Sequence, residues 1–184
     1  MSAPARPAVF FDRDGVLIAA PIEPSGKPGA IRDVADLEFT RDARAVCAEL
    51  KARGIPMFLF TNQPDVERGL TTREAVDAIN DKVQSELGLE AIAVCWSNDD
   101  NSPFRKPNPG MLLQLAEEHE LDLAKSVAVG DRWRDIAAGQ RAGAATLFID
   151  RHYGEQHPKA PDHTVGELGD GLPWVLQHVG AAQG

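Results

Sequence analysis

Two aspartates one residue apart directly follow the first hydrophobic run of the chain. The sequence VFFDRDGV places Asp12 and Asp14 after residues 8–11, with a glycine behind them. Alternate residues at a strand end can point into one crevice, where two carboxylates repel each other unless a cation or a shared proton stabilises them. Carboxylate oxygens bind Mg²⁺, and a carboxylate can act as a nucleophile in phosphoryl transfer. The pair is therefore a candidate site for that chemistry.

Polar residues also follow the second apolar run. The sequence FLFTNQ places Thr61 and Asn62 where a buried strand opens into a loop. A hydroxyl and free backbone amides at such a point can hold phosphate oxygens without adding charge. The alternative is that Thr61 merely starts a turn.

A basic pair follows the third apolar run, in the sequence FRKPNPG. Pro107 and Pro109 stiffen the chain beside Lys106, whose ammonium would stabilise an anionic phosphate and its developing charge. The planar fork of Arg105 suits a substrate phosphate or carboxylate, yet it can equally pair with a surface acid. A solvated Arg–Lys pair before a helix is the alternative for both residues.

A second acidic pair follows the fourth apolar run, in the sequence VAVGDRWRDIAAG. Gly130 permits close approach of the backbone, and Asp131 stands at the strand end. Asp135 opens the next helix, where the helix dipole alone would explain an acid. Two further acids beside Asp12 and Asp14 would repel them without Mg²⁺, so these four aspartates are the predicted metal ligands.

The elements that must position these residues alternate between strand and helix. The apolar runs have the length of buried parallel strands and cover residues 8–11, 55–60, 91–96, 126–129 and 145–149. Helical patterns cover residues 42–53, 71–87, 110–120 and 134–142, and a short helix is predicted at the end of residues 164–179. Thr71 and Glu74 form a predicted capping box for the second helix. The alternation predicts an α/β domain with a mainly parallel sheet and helices on both faces.

Length, charge and composition limit the possible functions. A chain of 184 residues suits one domain, 1–184, with residues 180–184 predicted to fray. A net charge of -9 argues against a nucleic-acid or membrane partner. Two cysteines, no signal-like segment at the N-terminus and no apolar run of about 20 residues favour a cytoplasmic protein. We expect a monomer.

Taken in order, the four polar segments resemble the haloacid dehalogenase superfamily of phosphatases. The matching segments are DRDGV, TNQ, RKP and GDRWRD, within core motifs that span residues 8–150. The sequences of these motifs look most like those of subfamily IIIA, in the branch of histidinol-phosphate and D-glycero-D-manno-heptose-bisphosphate phosphatases. The resemblance implies a Rossmann-like three-layer α/β/α fold, a sheet order of 3-2-1-4-5 and no separate cap domain.

The resemblance also implies roles for the motif residues. Asp12 would be the nucleophile, Asp14 the acid and base, and Lys106 the catalytic cation. Thr61 and Asn62 would hold the phosphoryl group, with Arg105 as a further substrate contact. The expected reaction is Mg²⁺-dependent hydrolysis of a small phosphorylated metabolite, and a sugar phosphate is the first candidate substrate.

One feature of that branch is missing from this sequence. Many members hold zinc with three cysteines and one histidine in the loop before RKP. Here Cys95 is present, but Ser97, Ser102 and Phe104 stand at the other positions. One thiol cannot build a four-ligand zinc site, so no zinc is predicted.

The sequence also allows other functions. A signalling receiver domain would place its phosphorylated acid after the third strand, which disagrees with the order seen here. A phosphate-binding relative without turnover, a histidinol-phosphate-like phosphatase and a phosphatase of nucleic-acid ends are the remaining alternatives. The net charge of -9 and the lack of a basic stripe argue against the last.

Overall fold

The chain folds around one six-stranded sheet in which every pair of neighbours is parallel. The computed structural model describes residues 5–180. The strands are β1 (Val9–Phe11), β2 (Met57–Asn62), β3 (Ala91–Cys95), β4 (Val127–Gly130), β5 (Ala145–Ile149) and β6 (His163–Val165). Their order is β3-β2-β1-β4-β5-β6, which confirms the predicted order and adds a sixth strand at one edge.

Within residues 5–180, five α-helices cover the two faces of the sheet and complete a three-layer α/β/α structure. They are α1 (Ala43–Ala52), α2 (Arg73–Leu87), α3 (Gly110–Glu118), α4 (Trp133–Ala142) and α5 (Leu168–Gly180). Helices α1, α2 and α5 contribute to one buried cluster, and α3 and α4 contribute to the other. The predicted fold class is therefore confirmed.

Strand β1 lies in the middle of the sheet and is buried on both faces. Val9 and Phe11 belong to the cluster under α1, α2 and α5, whereas Phe10 belongs to the cluster under α3 and α4. This alternation follows from the two-residue repeat of a strand. Because apolar side chains pack on both faces of β1, its C-terminal end has a fixed position at the edge of the sheet.

The structure corrects the predicted elements at three places. Strand β2 begins and ends two residues later than the predicted run 55–60, so Thr61 and Asn62 are its last two residues and do not lie in the loop. Thr72, and not Thr71, is the N-cap of α2, and its hydroxyl accepts a hydrogen bond from the amide of Ala75. Strand β6 lies at residues that the sequence predicts as a polar segment running into a short helix. It has three residues and no buried side chain, so no apolar run announces it.

The connection between β1 and α1 forms loops and one short 3-10 turn (Val34–Asp36) instead of a cap domain. Within residues 5–180, no helix has both the length and the apolar character needed to cross a membrane. The predicted fraying of residues 180–184 falls, beyond Gly180, outside the described residues. Gly180 itself ends α5.

Candidate active site

The register of the central strands brings three of the predicted motifs to one edge of the sheet. Phe11 is level with Leu59 of β2 and Val129 of β4. Asp12 follows Phe11 directly, and its amide donates to the carbonyl of Val129 at 2.9 Å. Asp131 lies two residues beyond Val129, so the first and fourth motifs meet at the point where β1 and β4 end. That point is where open α/β sheets bind their ligands.

Lys106 is buried between two carboxylates. Its ammonium lies 2.7 Å from Oδ1 of Asp12 and 2.7 Å from Oδ1 of Asp135, and it donates to the carbonyl of Phe60 at 3.0 Å. Burial alone would lower the pKa of the Lys106 ammonium, but Asp12 and Asp135 outweigh it and the pKa is raised. Lys106 is therefore a fixed positive charge against Asp12.

The carboxylates of Asp12, Asp131 and Asp135 crowd together. Each offers an oxygen, and these atoms all lie within 4.8 Å of one another. Burial raises the pKa of Asp12 to about 6, with Asp135 and Asp14 adding to the rise and Lys106 opposing it. Burial and the charge of Asp12 raise the pKa of Asp131 well above its usual range. Such a cluster holds more negative charge than Lys106 can balance.

These residues fit a divalent cation. Oδ1 of Asp131 is buried and has no hydrogen-bond partner within residues 5–180. Buried carboxylate oxygens without a partner are costly, whereas Mg²⁺ takes oxygen ligands of this kind. Asp135 differs from the others, because one of its oxygens contacts Lys106 and the other accepts from the Arg132 amide at 2.9 Å.

Two side chains outside the set of predicted site residues hold Asp14. Arg13 is fully buried, and its Nε lies 3.0 Å from Oδ2 of Asp14 while its Nη1 donates to Asn80 at 2.8 Å. Gln63 donates to the same Asp14 oxygen at 3.1 Å and to the Thr61 hydroxyl at 2.9 Å. Only the DRDG and TNQ motifs hint at these contacts, since Arg13 and Gln63 stand inside them.

Thr61 and Asn62 end β2 beside the acidic cluster. The Thr61 side chain is buried and accepts its hydrogen bond from Gln63. The Asn62 side chain binds the backbone of Lys106 twice, accepting from its amide at 3.1 Å and donating to its carbonyl at 3.2 Å. Asn62 therefore fixes the loop that carries Lys106, while its backbone amide is the group predicted to hold phosphate.

Arg105 pairs with a surface acid, which was one of its two predicted roles. Its Nε donates to Asp100 at 2.9 Å and its Nη1 donates to the carbonyl of Ser97 at 3.0 Å. Arg134 contacts the same Asp100 oxygen at 3.1 Å. These ion pairs hold the loop before RKP, for which the sequence predicts no zinc site, and Cys95 is buried at its start. The absence of zinc stays a prediction.

The site opens into a cleft with a volume of about 400 Å³. Its walls carry six cationic side chains, from Lys27, Arg68, Arg105, Lys106, Arg132 and Arg134. Five acidic side chains also line it, from Asp12, Asp14, Glu23, Asp65 and Asp135. The cations outnumber the acids along the walls of the cleft, so the cleft suits an anionic substrate despite the negative charge of the whole chain.

Comparison with known proteins agrees with this geometry. Residues 22–143 match the model of a hydrolase family described as haloacid dehalogenase-like hydrolase. A D-glycero-D-manno-heptose-1,7-bisphosphate 7-phosphatase of Thermosynechococcus vestitus is 30% identical, over 95% of this chain and 97% of its own. A D-glycero-beta-D-manno-heptose-1,7-bisphosphate 7-phosphatase of Mesorhizobium japonicum is 34% identical, over 79% of this chain and 70% of its own.

A solved structure of a heptose-bisphosphate phosphatase has a similar fold. The D,D-heptose 1.7-bisphosphate phosphatase of B. bronchiseptica, complexed with magnesium and phosphate, superimposes with a TM-score of 0.78. It is 26% identical, and the match covers 93% of this chain and 98% of the other. The chain belongs to the haloacid dehalogenase-like hydrolase family, and it is a phosphatase. Within that family its relatives include heptose-bisphosphate phosphatases, so the resemblance read from the four motifs is confirmed.

Proposed function

We propose that the chain is a Mg²⁺-dependent phosphomonoesterase that works through a phosphorylated Asp12 and acts on a sugar phosphate. The observation that carries this proposal is the buried ammonium of Lys106 between Asp12 and Asp135, beside Asp131. Lys106 occupies one oxygen of Asp12 and leaves the other without a hydrogen bond within residues 5–180. An ionised carboxylate with one free oxygen is suited to attack phosphorus.

The cation would be held by the side chains of Asp12 and Asp131 and by the backbone carbonyl of Asp14. Asp135 completes the acidic cluster. Mg²⁺ held there would neutralise negative charge on the reacting groups. Lys106 adds a second positive charge and keeps Asp12 ionised and oriented. The Thr61 hydroxyl and the Asn62 amide hold oxygens of the transferring group.

The reaction then needs two displacements at phosphorus. In the first, Asp12 forms a bond to phosphorus as the bond to the sugar oxygen breaks, and Asp14 gives its proton to that oxygen. In the second, Asp14 takes a proton from water, which attacks phosphorus and releases Asp12 and inorganic phosphate. Arg13 and Gln63 fix one oxygen of Asp14, which leaves the other for proton transfer in both steps.

A heptose 1,7-bisphosphate is the proposed substrate, with the 7-phosphate hydrolysed. The names of the relatives support it, and so do the cations in the cleft besides Lys106. Lys27 and Arg68 stand on loops that line the cleft, where they can meet a second phosphate. We place the enzyme in the cytoplasm as part of the same proposal, and its proposed role is in carbohydrate metabolism.

Steady-state assays with Mg²⁺ test this function and the nucleophile together. The panel contains heptose 1,7-bisphosphates, hexose bisphosphates, histidinol phosphate and a phosphorylated DNA end. We expect the highest kcat/KM for a heptose bisphosphate, with one phosphate released per molecule. In the Asp12→Asn variant turnover should fall by about 10⁴-fold or more, because an amide is a poor nucleophile.

Asp77→Asn is the matched control, since Asp77 is exposed on α2. It should retain the wild-type rate. Appreciable turnover by the Asp12→Asn variant would remove the nucleophile assignment. Faster hydrolysis of histidinol phosphate or of a DNA end would replace the proposed substrate.

A further inference from the structure

Tyr153 contacts the acidic cluster from outside the four motifs. It lies beyond β5 and is the only tyrosine of the chain. Its hydroxyl donates to Oδ2 of Asp131 at 2.7 Å. The mechanism described above makes no use of it.

The segment that carries Tyr153 is anchored on both sides of the site. Arg151 donates to the carbonyl of Gly15 at 3.1 Å and pairs with Glu167 at 2.8 Å. Glu155 pairs with Arg132, the residue after Asp131, at 2.6 Å. These contacts tie residues 151–155 to the loops after β1 and β4, so the Tyr153 hydroxyl has a fixed position relative to Asp131.

The two oxygens of Asp131 are consequently unequal. Oδ2 holds the hydroxyl of Tyr153 and packs against Gly15, where an added Cβ would lie 1.8 Å from that oxygen. The same Cβ would lie 2.7 Å from the Tyr153 hydroxyl. Oδ1 is buried and has no partner within the described residues. One oxygen of Asp131 is therefore free for a cation and the other is occupied.

We infer that Tyr153 is a positioning residue that holds Asp131 as a one-oxygen ligand and thereby favours Mg²⁺ over Ca²⁺. This inference rests on the proposed Mg²⁺ dependence. Mg²⁺ requires near-octahedral geometry with short bonds, whereas Ca²⁺ takes six to eight oxygens and accepts both oxygens of one carboxylate. If the Asp131 carboxylate were free to rotate, it could offer both oxygens to a cation. That arrangement suits Ca²⁺ better than Mg²⁺.

The test is direct cation binding to the Tyr153→Phe variant, measured by calorimetry without substrate. Phenylalanine keeps the ring and removes only the hydroxyl. We expect the Mg²⁺ Kd to rise about 10- to 100-fold, the usual range when a side chain that orients a metal ligand is removed. The Ca²⁺ Kd should rise much less, so that the preference for Mg²⁺ narrows.

Two further variants separate the possible outcomes. His152→Asn changes a neighbouring exposed residue that touches no group of the site, and it should bind both cations like the wild type. Asp131→Asn should lose most Mg²⁺ binding. Circular dichroism and melting in EDTA establish that each variant is folded.

An unchanged Mg²⁺ Kd in the Tyr153→Phe variant would overturn the inference alone, if the wild type binds Mg²⁺. An equal rise in the Mg²⁺ and Ca²⁺ Kd values would also overturn it, because a tyrosine with a purely structural role would affect the binding of both cations alike. A wild-type chain that binds no Mg²⁺ would instead overturn the proposed function on which the inference rests.

Discussion

At the scale of single residues, the site depends on the balance between one buried ammonium and the acids around it. The Lys106 and Asp12 side chains that meet are both more than nine-tenths buried, and their separation is 2.7 Å. A buried ion pair adds little net stability against an apolar pair, but removing one partner leaves the other charged and unsolvated. Lys106 therefore has a structural consequence as well as a chemical one.

The Lys106→Met variant tests this balance. It should lose about 3–5 kcal/mol of unfolding free energy at neutral pH, the usual cost of breaking a buried pair. Urea unfolding in EDTA measures it. Lys125→Met is the matched control, because Lys125 is half-exposed and pairs with Asp122 on the surface at 3.2 Å. The control should change stability by less than about 1 kcal/mol. Equal losses in the two variants would contradict the assigned role.

At the scale of elements, the end of β4 and the start of α4 meet at very short range. Gly130 ends β4, and a Cβ added there would lie 2.1 Å from Cβ of Asp135 in the first turn of α4. Only glycine permits this approach, which places the Asp135 carboxylate against Lys106. The strand and the helix are thus packed to position an acid, and not only to bury apolar surface.

The Gly130→Ala variant should separate β4 from α4. We expect a loss of about 1–3 kcal/mol in stability, the usual range for overpacking, together with a lower kcat as Asp135 moves from Lys106. Thermal unfolding and steady-state kinetics measure the two effects. Gly166→Ala is the control, since nothing lies within 4 Å of a Cβ at that position. A Gly130→Ala variant with wild-type kcat would refute the argument from close approach.

At the scale of the whole molecule, the acidic cluster links stability to pH and to the cation. A carboxyl group whose pKa is higher in the folded state stabilises the fold below its unfolded pKa and loses that contribution as pH rises through the folded value. For Asp12 this window runs from the ordinary value of 3.8 to about 6, because the folded chain buries it. The raised pKa of Asp131 acts in the same direction.

Without metal, the contribution of these two carboxyl groups to stability should therefore fall as pH rises through this window. Mg²⁺ binds the deprotonated carboxylates, so it should raise the Tm more at about pH 7.5 than at about pH 5. Melting with Mg²⁺ or EDTA at both pH values measures this. Asp131→Asn should show a flatter pH profile and little response to Mg²⁺. An equal Mg²⁺ shift at both pH values in the wild type would contradict the linkage.

The sequence by itself determined which kinds of residue stand at the ends of β1, β2 and β4. Buried parallel strands have short apolar runs, and polar residues that follow such runs must emerge at the carboxyl edge of the sheet. Asp12, Thr61 and Asp131 could be placed in this way, and so could the sheet order once four motifs pointed to one family.

Only the tertiary structure decided how those residues are partnered. Arg13 pairs with the adjacent Asp14 but is also bound to Asn80, which is 67 residues away, and Tyr153 reaches Asp131 from a segment with no motif of its own. Strand β6 likewise has no buried residue to mark it. These contacts depend on how distant segments pack. Local pattern fixes which groups reach the edge of the sheet, and packing fixes which oxygen of each carboxylate stays free.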